Sequence, residues 1–453
     1  MATTSILTRA ARGSLSHRAI TRISSSQPKR GAAVLAETQN ALHGQQLDHT
    51  AFKFHHPVAT ANLWPEEFWR SIPVYENVPA EQFISYRWGI KNTVEGKFKL
   101  YQFLKAVVPD EIPFDKAGTR TQNKEDFLVD VIGGISSSTM AIRITPYVLS
   151  RINWKDPRND PVFSQFIPLK SKFIPDHPKL TLDSLHETAD SPVLGLVHRY
   201  PDKALFLVFA YIEANPQLQD IVISGGDSYY LQPEQIKSIG SRLIDIPHVR
   251  RFRYASKGLA VAPGRLIDPE DGWADALIEV SNKAKKAGKS MALHTHFNHP
   301  NEFSWVTEMA AQRLHEAGVT VRNQSVLLKG VNDNVDTMST LLRSLANNNV
   351  IPYYVYICDM VKMNEHRRTT LQAMLDLEAQ LLGSIAGFMM PKFVVDLPGG
   401  GGKRPGSTFT SYDRKTGVSK FVAPAVTASG GVGSGREKKP QVFEYYDPIE
   451  PAE

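Results

Sequence analysis

The sequence predicts an α/β fold in which parallel strands alternate with crossover helices and form a partial or complete TIM-like barrel. From about residue 200, short apolar runs rich in β-branched residues alternate with windows of helical spacing, a pattern typical of parallel sheets. Polar residues also cluster directly after several of these runs, where barrels carry their ligand sites. An open doubly wound sheet is the structural alternative.

Residues 1–36 carry six basic residues and no acidic ones, in a segment rich in Ser, Thr and Ala. This composition is typical of a transit peptide and predicts mitochondrial localisation, with the basic tail of a cytoplasmic protein as the alternative. The six charges equal the formal net charge of +6, so the neutral remainder predicts no nucleic-acid partner. We find no apolar run of the length that a membrane span requires.

Residues 37–60 have the composition of a linker, and residues 61–190 predict a mainly helical N-terminal region. Within that region, Trp64–Trp69 places a proline and two acidic residues in a first helical turn. Many prolines between Pro157 and Pro192 predict an extended segment that wraps around the rest of the chain.

Residues 191–410 form the predicted core, in which seven apolar runs predict strands and five windows predict helices. The predicted strands are Leu205–Phe209, Ile221–Ile223, Phe252–Tyr254, Met291–His294, Val319–Val321, Pro352–Ile357 and Phe393–Val395. The predicted helices are Pro233–Leu243, Gly272–Ala287, Glu302–Ala317, Val335–Ala346 and Thr369–Ile385. Residues 411–453 predict a closing hairpin at Ser411–Val422 and a flexible, glycine-rich tail at Ser429–Lys439.

Five predicted strands end in polar residues, and together these predict one polar pocket at one edge of the sheet. A single group of this kind is more often a turn residue or a helix cap, and Asp227 alone is typical of a cap. The groups are Ser224–Asp227, His294–His299, Asn323–Ser325, Asp359 and Asp396.

The stretch Phe393–Lys403 is the most informative, because an apolar strand ends in Asp396 and a proline and four glycines then lead to Lys403. Four glycines lose much backbone entropy on folding, so ordering them predicts a backbone close to a phosphate or a flat ring. Lys403 is then a candidate Schiff-base residue, since a desolvated amine shifts its pKa readily. The alternative is a surface turn before a lysine. A phosphate-binding P-loop does not match, because Leu397 and Arg404 occupy two required positions.

A single cysteine, Cys358, excludes a disulfide framework and any zinc or iron–sulfur site built from several cysteines of this chain. Its apolar neighbours predict a small buried residue instead of a nucleophile. The pair His296 and His299 lacks a carboxylate at a defined spacing and is only a weak indication of a metal site.

Together these motifs closely resemble the lysine 2,3-aminomutases, particularly the fungal ones, over roughly residues 60–425. The segments that carry the resemblance are His198–Asp202, Ser224–Asp227, Thr295–Pro300, Asn323–Leu328, Tyr353–Asp359 and Asp396–Lys403. The resemblance implies a barrel of the radical S-adenosylmethionine (SAM) type and an isomerase that converts L-lysine to β-lysine by 1,2-amino migration. It implies pyridoxal phosphate, SAM and a 4Fe–4S cluster as cofactors, and a homodimer or homotetramer.

The resemblance also implies roles for individual residues. Lys403 matches the lysine that forms the Schiff base with pyridoxal phosphate, and Asp359 and Asp396 match the aspartates that bind the ε-ammonium of the substrate. Independently, two carboxylates suit a substrate whose remote cation is buried; the alternative is that both are ordinary caps. The residues matched to the cofactor phosphate are Arg199, Tyr200 and Lys203. The residues matched to the SAM-binding surface are Ser224, Gly225, Gly226, Asp227, His296 and Gln324.

One family motif is absent. Family members carry Cys-x-x-x-Cys-x-x-Cys directly after the first barrel strand, whereas here Ala204–Val208 runs straight into Phe209–Ala214. The cluster ligands are missing, together with the arginine beside them that holds the substrate carboxylate, so we do not expect this chain to cleave SAM reductively. Loss of a block with intact flanks indicates a skipped exon or a gene-model error, with a true pseudoenzyme as the alternative. The short connection predicts local distortion at Val208–Ala210.

Three functions therefore compete. The first is an isomerase acting on L-lysine, as the resemblance implies. The second is a non-catalytic protein that keeps a pyridoxal phosphate site or oligomerises with intact family members. The third is a pyridoxal phosphate enzyme without radical chemistry, for which the sequence shows no acid–base pair.

Overall fold

The structure is a computed structural model of the chain. It describes residues 67–138, 141–188, 190–192, 196–200, 203–205, 209–224, 227–423 and 441–449. The transit peptide predicted for residues 1–36, the linker at 37–60 and the glycine-rich tail at 429–439 all lie outside these described residues.

The N-terminal part of the described chain is mainly helical, as predicted. Its helices are Ala80–Ile84, Tyr86–Lys91, Gly96–Val107, Lys124–Ser137, Pro146–Ser150 and Pro161–Phe166. Two short antiparallel pairs accompany them: β1 (Val94–Glu95) with β4 (Arg143–Ile144), and β2 (Glu111–Pro113) with β3 (Thr121–Asn123). The prediction of an extended segment from Pro157 onward is wrong at one place. There the Asp160 carboxylate accepts the Phe163 N–H at 2.7 Å and caps the helix Pro161–Phe166.

A nine-stranded sheet follows, and its seven parallel strands, β6 to β12, curl into a half-barrel. The strands are β5 (Val197–Tyr200), β6 (Lys203–Leu205), β7 (Asp220–Ile223), β8 (Arg251–Ala255), β9 (Ser290–Thr295), β10 (Thr320–Leu327), β11 (Val350–Ile357), β12 (Lys392–Leu397) and β13 (Gly402–Pro405). The edge strands β5 and β13 are antiparallel to their neighbours. Strand order follows chain order without reversal, so the sheet winds in one direction as a barrel does and is not doubly wound.

The helices between the parallel strands confirm the predicted alternation. They are Phe209–Ala214, Pro233–Asp245, Gly258–Val261, Trp273–Lys286, Trp305–Glu316, Val335–Asn347 and Leu371–Leu381. Their apolar residues pack with those of the sheet in one continuous core. Within the described ranges, no helix has both the length and the apolar character that crossing a bilayer requires.

Two predicted strand boundaries are wrong. The first predicted strand, Leu205–Phe209, is shifted, because Phe209 already begins a helix. The distortion predicted at Val208–Ala210 includes residue 208, which lies outside the described residues. The fifth strand does not end at Val321 but continues to Leu327. Its polar residues remain in the strand because Asn323 and Ser325 bond the backbone of Phe297 on the neighbouring strand-end loop at 2.7–3.1 Å.

The N-terminal region docks onto the loop that follows β9. Tyr147 Oη donates to the Glu302 carbonyl at 2.9 Å, and Arg151 Nε donates to the Asn301 carbonyl at 2.9 Å. Both side chains are buried, and hydrogen bonds out of reach of water are costly to lose. This docking holds the loop on which the candidate site residue His296 lies.

A three-stranded antiparallel sheet closes the described chain: β14 (Ser411–Asp413), β15 (Val418–Val422) and β16 (Val442–Tyr446). The first two strands confirm the predicted hairpin, whereas β16 was not predicted. Its Tyr445 hydroxyl donates to the Cys358 carbonyl at 3.0 Å, so β16 lies against the carboxyl end of β11.

A buried ion pair ties the residues after β16 to the barrel. Arg368 contacts Glu365 at 2.6 Å with both side chains fully buried, and Arg368 also donates to the Tyr446 carbonyl. The second Glu365 oxygen accepts the Ile449 N–H at 2.7 Å. Each charge is therefore partnered, which is the condition under which a buried pair is tolerated.

We predict that Glu365→Ala lowers the free energy of unfolding by about 3–5 kcal/mol, because Arg368 is left buried without its carboxylate. Urea unfolding of the purified chain measures this loss. The control is Lys420→Ala, which removes an exposed partner of Glu444 and should leave the unfolding midpoint nearly unchanged. Equal losses in the two variants would contradict the assignment of Glu365 as the essential partner.

Candidate active site

The carboxyl ends of the parallel strands bring most of the predicted site residues to one rim. Ser224 follows β7 and His296 follows β9, while Gln324 lies in β10. Asp359 comes two residues after β11, and the edge pair β12–β13 carries Asp396 and Lys403. Because parallel strands end at the same edge of a sheet, residues from five strands share one side of the half-barrel, as predicted.

The glycine quartet makes the tight reversal between β12 and β13. Gly399, Gly400 and Gly402 have φ angles of 76°, 82° and 80°, which side chains with a Cβ rarely adopt. A Cβ on Gly401 would lie 2.7 Å from Leu397 Cβ. The glycines are therefore required by the turn itself, and the turn sets Lys403 directly opposite Asp396 in the antiparallel register.

Lys403 and Asp396 form the central pair of the site. Their Nζ and Oδ2 atoms are 2.5 Å apart, with the carboxylate side chain 6% exposed and the lysine side chain 32% exposed. The amine also lies 5.3 Å from the ring centroid of Tyr356 on β11. A buried carboxylate needs a cation or donors, and here the amine supplies the cation while its side chain remains partly exposed.

Asp359 lies on the adjacent strand end. β11 and β12 pair in parallel with Tyr356 opposite Val394, so continuing this register places Asp359 just beyond the level of Asp396. It is half-buried. The two predicted substrate aspartates thus stand on neighbouring strands at the same rim.

His296 is fully held by hydrogen bonds within the chain. Its Nδ1 donates to the Gln324 carbonyl at 2.6 Å, and its Nε2 accepts from Asn298 Nδ2 at 3.0 Å, which assigns the neutral tautomer from the network. Burial, followed by the nearby Lys257 ammonium, lowers the pKa of His296 to about 3. The ring is therefore a neutral, fixed group at neutral pH, and it lies next to Gln324.

Lys257 and Glu302 position this loop and were not predicted. Lys257 Nζ donates to the His296 carbonyl at 3.0 Å and to Glu302 Oε1 at 3.1 Å. The other Glu302 oxygen accepts the backbone N–H groups of Asn298 and His299 at 2.6 and 2.7 Å. Lys257 lies two residues after the end of β8, so its place shortly after a predicted strand was a signal that could have been used.

Asp227 acts as a cap, the alternative noted for it. Its carboxylate accepts the N–H groups of Tyr229 at 2.8 Å and Lys257 at 3.2 Å. Ser224 is half-buried at the end of β7, while Gly225 and Gly226 lie outside the described residues. The Asp227 side chain is thus engaged in capping.

The residues matched to the cofactor phosphate lie at the other edge of the sheet. Arg199 and Tyr200 belong to β5 and Lys203 to β6, with Tyr200 opposite Lys203 in the antiparallel register. In strand order, this hairpin and the β12–β13 turn are the two ends of the sheet.

Cys358 and His299 have structural surroundings in the fold. Cys358 is buried, as predicted, and burial raises the pKa of its thiol to about 12. His299 Nδ1 accepts the Asn301 N–H at 3.1 Å and caps a short 3₁₀ turn. In the described part of the chain, no three His, Cys, Asp or Glu side chains are grouped to hold a metal ion.

The chain is similar along most of its length to aminomutases. It is 34% identical to the L-lysine 2,3-aminomutase of Clostridium subterminale over 368 residues, covering 74% of this chain and 81% of the relative. It is 32% identical to the L-lysine 2,3-aminomutase of Bacillus subtilis, covering 76% and 73%. It is 27% identical to the glutamate 2,3-aminomutase of Clostridioides difficile, covering 73% and 78%. No protein-family model matches the chain.

We predict that His299 makes folding pH-dependent. Burial lowers its folded-state pKa to about 4 from an ordinary value of about 6.5. Its contribution is therefore fully present above about pH 6.5 and is lost as the pH falls towards 4, by about 1.4 kcal/mol per pH unit.

The variant His299→Asn keeps a side-chain acceptor for the cap but cannot be protonated. Its free energy of unfolding should fall less steeply between pH 6 and 4.5, by about 1.4 kcal/mol per unit. Urea unfolding at several pH values measures the slopes. Above pH 7 the two curves should run parallel, and identical slopes at acid pH would contradict the prediction.

Proposed function

Since the chain belongs to the lysine 2,3-aminomutase family, we propose that its site is that of an isomerase acting on L-lysine, with pyridoxal phosphate held at Lys403. We further propose that this chain keeps the cofactor and substrate parts of that site without the iron–sulfur part. The observation that supports the proposal best is the pairing of Lys403 with Asp396 at the rim of the half-barrel.

In this proposal one carboxylate serves two cations in turn. While the Lys403 amine is protonated, Asp396 holds it at 2.5 Å. An amine must lose its proton before it reacts with a carbonyl, and that loss leaves the Asp396 carboxylate without this cation. A second ammonium, such as the distal end of a lysine, then satisfies the carboxylate.

The residues present fit pyridoxal phosphate. Lys403 supplies a half-exposed amine, and Tyr356 supplies a flat ring beside it. Arg199, Tyr200 and Lys203 provide cationic and hydroxyl side-chain types for a phosphate. When bound, the cofactor supplies carbonyl chemistry on the substrate amine, and the chain contributes binding and orientation.

Two carboxylates at the rim favour L-lysine over L-glutamate. Asp359 and Asp396 would attract the distal ammonium of lysine, whereas the distal carboxylate of glutamate would be repelled. Both kinds of aminomutase occur among the relatives, and we base the choice of L-lysine on this charge pattern.

The residues fit SAM in part. The half-buried end of β7 at Ser224 offers backbone groups, and Gln324 is half-exposed beside the neutral His296 ring. These groups suit an adenosyl ligand through hydrogen bonds that need no charge.

The residues do not fit a 4Fe–4S cluster. Such a cluster is bound by cysteine thiolates, and this chain has one cysteine in 453 residues. That cysteine, Cys358, is buried with a raised pKa, which disfavours the thiolate. We therefore derive no radical step for this chain. A second candidate function, a non-catalytic protein that binds pyridoxal phosphate or assembles with intact family members, is favoured by the same observation.

We predict that the purified chain binds pyridoxal phosphate and that Lys403→Ala abolishes this binding. The amine is the group that captures the cofactor aldehyde, so its removal should remove the absorbance of protein-bound cofactor after gel filtration. The control is Lys420→Ala on the exposed face of β15, which should bind as the parent does. Retention of the cofactor by Lys403→Ala would contradict the proposal.

We predict that anaerobic incubation with iron and sulfide yields no 4Fe–4S cluster in this chain, because the required thiolates are absent. Iron and sulfide content and the visible absorbance of the desalted protein measure this outcome, with a cluster-binding aminomutase as the positive control. A stoichiometric cluster would show that other residues replace the cysteines. Sequencing the transcript across Leu207–Phe209 tests the gene-model error, because an uninterrupted transcript without cysteine codons would rule that error out.

A further inference from the structure

The concave face of the half-barrel carries two arginines that neither the rim nor the proposed cofactor site uses. In β8, Phe252 and Tyr254 are buried on the helix side, and the Tyr254 hydroxyl donates to the Ile236 carbonyl at 2.7 Å. Because side chains alternate along a strand, Arg253 faces the concave side. The same alternation around buried Val321 places Arg322 of β10 on that face.

A histidine lies between the two arginines. On β9, His294 is opposite Arg322, and Ala292, two residues earlier, is opposite Arg253. Gln324 Nε2 donates to His294 Nδ1 at 3.0 Å. Burial, followed by the charges of Arg253 and Arg322, lowers the pKa of His294 to about 3, so the ring is neutral and the positive charge belongs to the guanidinium groups alone.

Two described carboxylates near this face, Asp220 and Asp396, are already engaged. Asp220 on β7 accepts two hydrogen bonds from Arg251 at 2.9 Å each, and Asp396 is paired with Lys403. Within the described ranges, neither Arg253 nor Arg322 forms an ion pair with a carboxylate. Arg322 lies instead over the Tyr353 ring, 5.4 Å from its centroid. Burial also lowers the pKa of Arg253. The nearby negative groups therefore do not fully offset the cost of removing this cation from water.

We propose that Arg253 and Arg322 form a binding site for an oxyanion, the carboxylate or phosphate of a small molecule held in the half-barrel. Guanidinium forks match both groups in geometry and charge. Two strands separated by one other lie about 10 Å apart, a gap that two arginine side chains on a concave surface can close around one anion.

The site is continuous with the rim. The Tyr353 ring lies over Tyr354, 4.0 Å between centroids, and Tyr354 lies 5.4 Å from Tyr356, which contacts the Lys403 amine. A row of tyrosines therefore connects the Lys403 amine with the two arginines. The identity of the bound molecule rests on the proposed function. The existence of the anion site does not depend on it.

The test compares Arg253→Gln, Arg322→Gln and the double variant with the parent chain. Arg251→Gln is the matched control, because it removes an exposed guanidinium of the same strand that already has a carboxylate partner. Calorimetric titrations use inorganic phosphate, pyridoxal phosphate, pyridoxal, L-lysine and 1,5-diaminopentane. The last is L-lysine without its carboxylate, as pyridoxal is the cofactor without its phosphate.

We expect the double variant to bind one oxyanion-bearing probe about tenfold to hundredfold more weakly, the range expected for lost charged hydrogen bonds. If the phosphate is the anion, pyridoxal phosphate and inorganic phosphate weaken while pyridoxal does not. If the carboxylate is the anion, L-lysine weakens while 1,5-diaminopentane does not. Unchanged affinities for all probes, or equal effects of Arg251→Gln, would overturn the proposal.

A second measurement needs no variant. Phenylglyoxal modifies accessible arginines, and peptide mass spectrometry locates the modified residues. Saturating phosphate or L-lysine should slow modification of Arg253 and Arg322 but not of Arg251, and lack of protection would overturn the proposal even if the variants fail to fold. Failure of the parent to bind pyridoxal phosphate would reject the proposed function alone, because protection by inorganic phosphate still reports the anion site.

Discussion

The ion pair between Asp396 and Lys403 is the interaction on which the site depends. It exists because the chain reverses within four glycines, three of which take backbone conformations that other residues disfavour. The reversal makes β13 the antiparallel edge of an otherwise parallel sheet. The outcome is an accessible amine held against a buried carboxylate. When a ligand reacts with the amine, the negative charge of Asp396 must therefore be compensated in another way.

The N-terminal region and the last strand of the described chain both pack against this rim. The N-terminal helical region grips the loop after β9 through Tyr147 and Arg151. The last strand lies against the carboxyl end of β11 and is anchored by the buried pair of Glu365 and Arg368. These contacts lie at the strand ends and not in the core of the barrel. The rim is thus stabilised by segments remote in sequence. Such support keeps the geometry of a site in place before a ligand binds.

Charge is distributed unevenly over the concave face. At the rim, Asp396 is balanced by Lys403, and Lys257 is balanced by Glu302. Deeper in the half-barrel, Arg253 and Arg322 flank a neutral histidine, and the nearby Asp220 is already bound by Arg251. A ligand with a cation at one end and an anion elsewhere matches this pattern, which is the charge distribution of an amino acid or of its combination with a phosphorylated cofactor.

The sequence by itself determined the alternation of strands and helices and the positions of five core helices to within a few residues, but not the helices Phe209–Ala214 and Gly258–Val261. It also singled out Lys403, Asp396 and His296 as candidate site residues. These features are local, because apolar periodicity and glycine runs can be recognised within a short stretch of sequence. It misplaced the end of β10, since Asn323 and Ser325 look like loop residues until Phe297 supplies their hydrogen-bond partners. Only the tertiary structure decided that Asp227 caps a turn, that Lys257 pairs with Glu302, and that Arg253 and Arg322 share one face. Each of these depends on which strands become neighbours, and strand order is set by packing across the whole chain.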